Sequence, residues 1–190
     1  MNRTNMNKPV MRLTLSGIMI ALGTVLSLFT IIKMPQGGTI TPLSMLPVII
    51  IGYIYGVKWG CFTGLAYGII QMLIGGDIFA NNFWVAIGSI LLDYLLAFGA
   101  MGFGGLFRNI IKVRTVSLGL GALTACLIRF ICHIISGALL FGAYAAPGQT
   151  PLAYSITYNA AYMLPELITT VIGAVIIGGL FDLTAMAKKQ

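Results

Sequence analysis

The chain has 190 residues, of which 58% are hydrophobic and only 8% are charged. A soluble domain carries about a quarter of charged residues, so this composition excludes one and predicts an integral membrane protein. A spanning helix needs about 20 apolar residues, which leaves room for roughly six or seven helices and none for a separate soluble catalytic domain. We therefore interpret residues 1–190 as one transmembrane domain.

Six apolar runs follow one another along the chain and predict an all-α fold of six transmembrane helices. They cover approximately residues 13–32, 43–57, 59–74, 83–107, 116–141 and 152–181. No small-residue cleavage site follows the first run, which we interpret as a retained helix and not as a signal peptide. The second and third runs are short and are separated by little more than Lys58, which predicts a tight helical hairpin that is tilted or incompletely spanning.

The net charge of +7 arises from basic residues at the chain ends and in the gaps between apolar runs. This placement indicates membrane topology and not a nucleic-acid surface. If the N-terminus is cytoplasmic, Lys33 lies in an outer loop and Arg129 lies within the fifth helix. All other basic residues are then cytoplasmic. These are Arg3, Lys8, Arg12, Lys58, Arg108, Lys112, Arg114, Lys188 and Lys189. The sequence therefore predicts that both termini are cytoplasmic.

Three loops then lie on the outer side, at residues 33–42, 75–82 and 142–151. All three are rich in residues that favour turns, and most of their residues are interpreted as simple connectors. The first loop is long for a connection between neighbouring helices, and long loops are often lids.

Four ionisable residues lie at membrane depth, where each costs about 2.5–3.5 kcal/mol to insert. Asp93 and His133 are predicted at similar depth in the outer half, where they could share one pocket. Arg129 and Glu166 are predicted near the midplane, where we favour a structural ion pair that neutralises two buried charges over a role in contacting a ligand.

Tyr94, Tyr154 and Asn159 are predicted in the same outer half as Asp93 and His133. A carboxylate beside aromatic rings suits an organic cation. An amide and tyrosine hydroxyls suit a nitrogen heterocycle with donors and acceptors on its edge. These side chains together favour a small, flat, polar molecule, preferably cationic, that enters from outside.

Several kinds of chemistry have no sequence signal. The chain has no G-x-x-x-x-G-K-[ST] phosphate loop, so we do not expect it to hydrolyse ATP by itself. One histidine and three cysteines inside apolar segments give no basis for a metal site, a cofactor or a disulfide framework. Gly17 and Ala21, four residues apart on the first helix, allow close approach of another helix, either from this chain or from a partner.

Taken together, these features resemble the substrate-binding S component of energy-coupling factor vitamin transporters, and most closely its thiamine-specific branch. The resemblance covers nearly the whole chain. It is carried by the six-helix layout and by residues 35–38 (PQGG), 44–47 (SMLP), 92–98 (LDYLLAF), Arg129, His133, Tyr154 with Ser155, and Asn159.

The resemblance implies a multi-pass protein of the bacterial plasma membrane that binds thiamine with high affinity under the first loop. It implies docking through Gly17 and Ala21 to a transmembrane coupling subunit driven by two cytoplasmic ATPases, and toppling of the S component to release the vitamin inside. The partners expected are thus thiamine, these subunits and membrane lipid, with no nucleic acid.

By the same resemblance, Asp93, Tyr94, His133, Tyr154 and Asn159 are expected to line the site. Asp93 would face the thiazolium cation, while Tyr154 and Asn159 would hydrogen-bond the aminopyrimidine.

Two further residues are interpreted beside that pattern. Phe141 stands where the family has a stacking tryptophan, which predicts weaker stacking, and Asp93 stands where glutamate is usual. Glu166 is a candidate second carboxylate for the pocket.

Three alternatives stay open at this point. One is the same architecture with another water-soluble vitamin or precursor. Another is a membrane-embedded enzyme that uses Asp93 and His133 as acid and base. The third is a facilitator that works without ATPases.

Overall fold

The computed structural model describes residues 3–75, 82–183 and 185. Six helices occupy the six predicted runs, and within the described residues five of them are long and apolar enough to cross a membrane. These five are α1 (Arg3–Leu28), α3 (Val57–Gly75), α4 (Phe83–Gly105), α5 (Arg114–Leu140) and α6 (Pro151–Leu180). The sixth, α2 (Leu46–Tyr55), has ten residues. The predicted all-helical membrane fold is confirmed, whereas the number of membrane spans and their orientation stay predictions.

The first loop departs from the all-α prediction. Helix α1 ends at Leu28, and Ile32–Lys33 (β1) pairs with Thr39–Ile40 (β2) as a short antiparallel ladder. The β-branched residues 30–32 favour extended backbone over helix. Gly37 and Gly38 then turn the chain at φ values of 90° and 88°, a region open to glycine. We call residues 32–41 the hairpin.

Helix α2 is the buried centre of the bundle. Nine of its ten residues are buried, as expected for a helix that is apolar on every side. This helix therefore lies in the core, and its ten residues are fewer than the roughly 17 that a spanning helix needs.

Glycines allow α2, α3 and α4 to pack backbone against backbone. A Cβ atom at Gly52 would lie 2.6 Å from the carbonyl oxygen of Gly102, and one at Gly60 would lie 2.5 Å from the Cα atom of Gly52. Gly102, Gly104 and Gly105 thus allow these helices to pack closely.

Basic side chains collect at one end of the bundle, which we call the basic end. Arg108 donates from Nη1 to the carbonyl oxygens of Tyr53 (3.2 Å) and Ile54 (2.7 Å), which satisfies the C-terminus of α2. The Arg12 guanidinium lies over the rings of Tyr55 and Trp59, 5.2 and 5.0 Å from their centroids. The hairpin lies at the opposite end, in agreement with the predicted separation of basic segments from the first loop.

Candidate binding site

A cavity of about 390 Å³ lies at the end opposite the basic residues, beneath the hairpin. Pockets for small ligands commonly enclose about 300–1,000 Å³. The wall is built from the hairpin and from α1, α3, α4, α5 and α6. Its polar and aromatic members include Gln36, Gln71, Ser89, Asp93, Tyr94, Phe98, Arg129, His133, Ser136, Phe141, Tyr154, Tyr158, Asn159 and Tyr162.

Asp93 lies in a π-helical stretch of α4, Ile90–Leu96. Its Oδ2 accepts hydrogen bonds from Ser89 Oγ (2.8 Å) and Ser136 Oγ (2.6 Å), and its Oδ1 is 2.8 Å from His133 Nδ1. The carboxylate has about four lone-pair positions, so roughly one remains for a ligand. Wide π turns occur often at functional sites, and this one supplies the carboxylate to the cavity wall.

His133 stands between Asp93 and Arg129. Its Nε2 accepts a hydrogen bond from Arg129 Nε at 3.2 Å. Because arginine has no acceptor, Nε2 carries no proton in this arrangement, and the Nδ1 proton is donated to Asp93. The histidine is therefore the neutral Nδ1–H tautomer, and both of its ring nitrogens are engaged by protein groups.

The predicted ion pair between Arg129 and Glu166 is wrong. The Arg129 guanidinium lies over the Phe98 ring, 4.4 Å from its centroid, and contacts His133 one helical turn away. Among the described residues, Arg114 pairs with Asp182 at 3.2 Å at the basic end, whereas Asp93 and the neutral His133 share a hydrogen bond.

Glu166 also differs from its expected place at the ligand. It is 2% exposed and is not part of the cavity wall. Its Oε1 accepts from the backbone N–H (2.9 Å) and the hydroxyl (2.7 Å) of Thr41. Glu166 lies seven positions after Asn159, about 10 Å farther along α6, and therefore beyond the cavity wall.

The predicted aromatic residues line the cavity. Tyr94, Phe141 and Tyr154 all contribute to its wall, and the Tyr94 ring stacks on Phe98 with centroids 6.3 Å apart. Tyr158 and Tyr162 also line it, although the sequence analysis did not select them. The recurrence of tyrosine every four residues from Tyr154 to Tyr162 is the signal that could have found them.

Asn159 connects α5 and α6 at the cavity wall. Its Nδ2 donates to the carbonyl oxygens of His133 (3.2 Å) and Ser155 (2.8 Å), and its Oδ1 accepts from Tyr162 OH at 2.7 Å. At 5% exposure, the amide is largely committed to protein partners. Its Oδ1 keeps one lone pair that can accept a hydrogen bond from a ligand.

The hairpin covers the cavity, as expected for a lid. Lys33 and residues 36–39 all belong to the cavity wall. The Tyr158 hydroxyl accepts from the Gln36 N–H and donates to the Gly37 carbonyl oxygen, both at 2.8 Å. Most of the second predicted outer loop, residues 76–81, lies outside the described residues.

Gly17 and Ala21 lie on an exposed face of α1. A Cβ atom at Gly17 would meet no described atom within 4 Å. Close packing against another helix of this chain therefore does not account for the small residue at position 17.

Comparison with known proteins identifies similar chains. The family described as thiamine transporter protein matches residues 13–183. The thiamine transporter ThiT of Bacillus subtilis is 37% identical over 175 residues, which cover 86% of this chain and 88% of that protein. ThiT of Lacticaseibacillus paracasei is 24% identical over 149 residues, covering 70% and 69% of the two chains. The solved structure of ThiT from Listeria monocytogenes superposes with a TM-score of 0.76 at 26% identity, covering 91% of this chain and 96% of that one.

Proposed function

The chain belongs to the thiamine transporter family, and from that premise we propose that it binds thiamine with high affinity from outside the cell and delivers it as the S component of an ATP-driven energy-coupling factor transporter. The family is one of multi-pass cell-membrane transporters and not of enzymes. The observation that carries the proposal is the Asp93 carboxylate at the wall of an aromatic cavity.

Asp93 suits the positively charged thiazolium ring of thiamine. Its three protein donors orient the carboxylate. Arg129, which also lines the cavity, lies on the opposite side of the His133 ring from Asp93. Tyrosine and phenylalanine faces each add roughly 0.5–2 kcal/mol of attraction to a desolvated cation.

The other end of the ligand is assigned to α6 and its neighbours. Tyr154 and the free lone pair of Asn159 would hydrogen-bond the aminopyrimidine edge, while Phe141 packs on a ring face. Tyr94 closes the opposite side, where its stacking on Phe98 holds its ring in place.

Energy coupling requires partners because the chain contains no phosphate loop of its own. We assign docking on the transmembrane coupling subunit to Gly17 and Ala21, and ATP hydrolysis to two cytoplasmic ATPases. The exposed position of both residues on α1 supports this assignment. Lipid covers the apolar surfaces that remain.

The direct test is a calorimetric titration of the detergent-purified protein with thiamine after removal of any co-purified ligand. Riboflavin and biotin serve as controls on the same preparation. Saturable one-to-one binding of thiamine alone is expected. Absence of heat with thiamine, or tighter binding of another vitamin, would overturn the substrate assignment while leaving the architecture in place.

A further inference from the structure

We propose that one face of α6, formed by Tyr158, Tyr162 and Glu166, is a latch that holds the hairpin closed over the cavity. Glu166 is then a positioning residue of the lid and not a ligand group. The inference rests on the proposed function insofar as the trapped ligand is thiamine, but the closure of the hairpin itself does not depend on that identity.

The spacing of these residues places them in one line. They are four residues apart, so they lie on one face of α6 and follow each other by about 6 Å. Each contacts a different part of the hairpin: Tyr158 its turn, Tyr162 the glycine that follows, and Glu166 its end at Thr41.

At the turn, a single hydroxyl serves two backbone groups. Tyr158 OH accepts from Gln36 N–H and donates to the Gly37 carbonyl oxygen. Within the hairpin itself, Met34 N–H donates to the Gly38 carbonyl oxygen, and Gly37 N–H to that of Met34. The Gln36 N–H and the Gly37 carbonyl oxygen are not used by these internal hydrogen bonds, so Tyr158 is their partner. Tyr158 can bond them only when the hairpin is closed.

The next contact is backbone against ring. A Cβ atom at Gly38 would lie 2.8 Å from the Tyr162 ring, closer than side chains tolerate. Only glycine lets the hairpin rest directly on that ring, and its φ of 88° also favours glycine.

At the end of the hairpin, the contact is a pair of buried hydrogen bonds. Glu166 Oε1 receives both the N–H and the hydroxyl of Thr41, and the Thr41 hydroxyl is also 2.8 Å from Ser44 Oγ. Thr41 is 4% exposed and Glu166 is 2% exposed, so water does not compete for these bonds. This end is the fixed anchor, whereas the turn, held through the less buried Tyr158, is the part that opens first.

The latch predicts how the ligand leaves. A ligand under the hairpin departs only after the turn has left Tyr158, so loss of latch bonds should accelerate dissociation more than association. Substitution of Glu166 distinguishes a latch from a ligand-binding group, because Glu166 bonds to the hairpin but does not line the cavity.

The test compares Glu166→Leu with Glu166→Gln, and Thr41→Val with Thr41→Ser. Glutamine and serine keep an oxygen for the same bonds, whereas leucine and valine remove it. Two readouts are used on full-length protein in detergent: hydrogen exchange of the amides of residues 34–41 without ligand, and the dissociation rate of radiolabelled thiamine.

For Glu166→Leu we expect loss of protection at the Thr41 amide and roughly ten-fold faster dissociation, corresponding to the loss of one or two hydrogen bonds. Thr41→Val should show a smaller acceleration, about three-fold, since it loses only the hydroxyl bond. The glutamine and serine variants should resemble wild type in both readouts.

Two results would overturn the latch. Equal damage by glutamine and leucine would assign Glu166 a charge role, and wild-type exchange in Glu166→Leu or Thr41→Val would show that these bonds do not hold the hairpin. If wild-type protein fails to bind thiamine, the proposed function is wrong, and the exchange measurement still decides the latch.

Discussion

The two ends of this molecule are built in opposite ways. Toward the basic end, α2, α3 and α4 meet through glycine backbones. Toward the cavity end, α4, α5 and α6 line the cavity with carboxylate, hydroxyl, imidazole and phenol groups. The contrast separates a base, in which an added methyl group would collide with a neighbouring backbone, from a cavity end whose wall offers polar groups to a ligand.

The largest effect is expected at the glycine contacts of the base. Gly102→Ala would drive a methyl group into the Cys61 backbone nitrogen, so the helices must move apart. Overpacking of this kind costs about 1–3 kcal/mol or more. We expect a strong loss of thermal stability in detergent, measured by the unfolding temperature.

The matched control for that change is Gly17→Ala, on the exposed face of α1. A methyl group there meets nothing within 4 Å, so the unfolding temperature should stay unchanged. Equal stability of the two alanine variants would contradict the picture of a tight glycine base.

The second largest effect is expected from removing the Asp93 charge at the cavity end. Asp93→Asn removes the carboxylate while it preserves the side-chain volume, and we expect thiamine affinity to fall by about 100-fold or more. Calorimetry measures this change, and the unfolding temperature of the same sample serves as the control for the fold. Unchanged affinity would remove the carboxylate from cation recognition.

Transport should be separable from binding on α1. Gly17→Leu or Ala21→Leu places a bulky side chain on the docking face, away from the cavity. Uptake of labelled thiamine by cells should drop about ten-fold or more, since about 1.4 kcal/mol of lost docking suffices. Thiamine affinity of the purified variants should remain at the wild-type value, and normal uptake would argue against docking through this face.

The smallest effect is expected from the ring at position 141. Phe141→Trp enlarges a face of the cavity wall and should raise thiamine affinity by a few-fold, in keeping with roughly 0.5–1 kcal/mol for a better aromatic contact. A competition titration against the wild-type protein resolves such a difference. A loss of affinity would mean that the cavity has no space for the larger ring.

Sequence reasoning worked where the signal is local. Apolar runs identified six helices, and the inserted charges identified Asp93 and His133, which the structure joins at 2.8 Å. It failed for Glu166 because its partner, Thr41, is 125 residues away, in a loop whose sequence does not specify the helix that it contacts. It failed for Arg129 because opposite charges suggested a pair, although a histidine one turn away and the Phe98 ring satisfy the guanidinium.

The sequence by itself determined that this protein is an all-helical membrane protein and which few ionisable residues fall inside its apolar segments, because the cost of burying charge in lipid is independent of the fold. Only the tertiary structure decided that the short α2 is the core, that a π-helical turn carries Asp93, and that the α6 face holds the hairpin closed. These features depend on which backbones approach each other across the bundle, and short-range sequence patterns do not specify contacts between residues that are far apart in the chain.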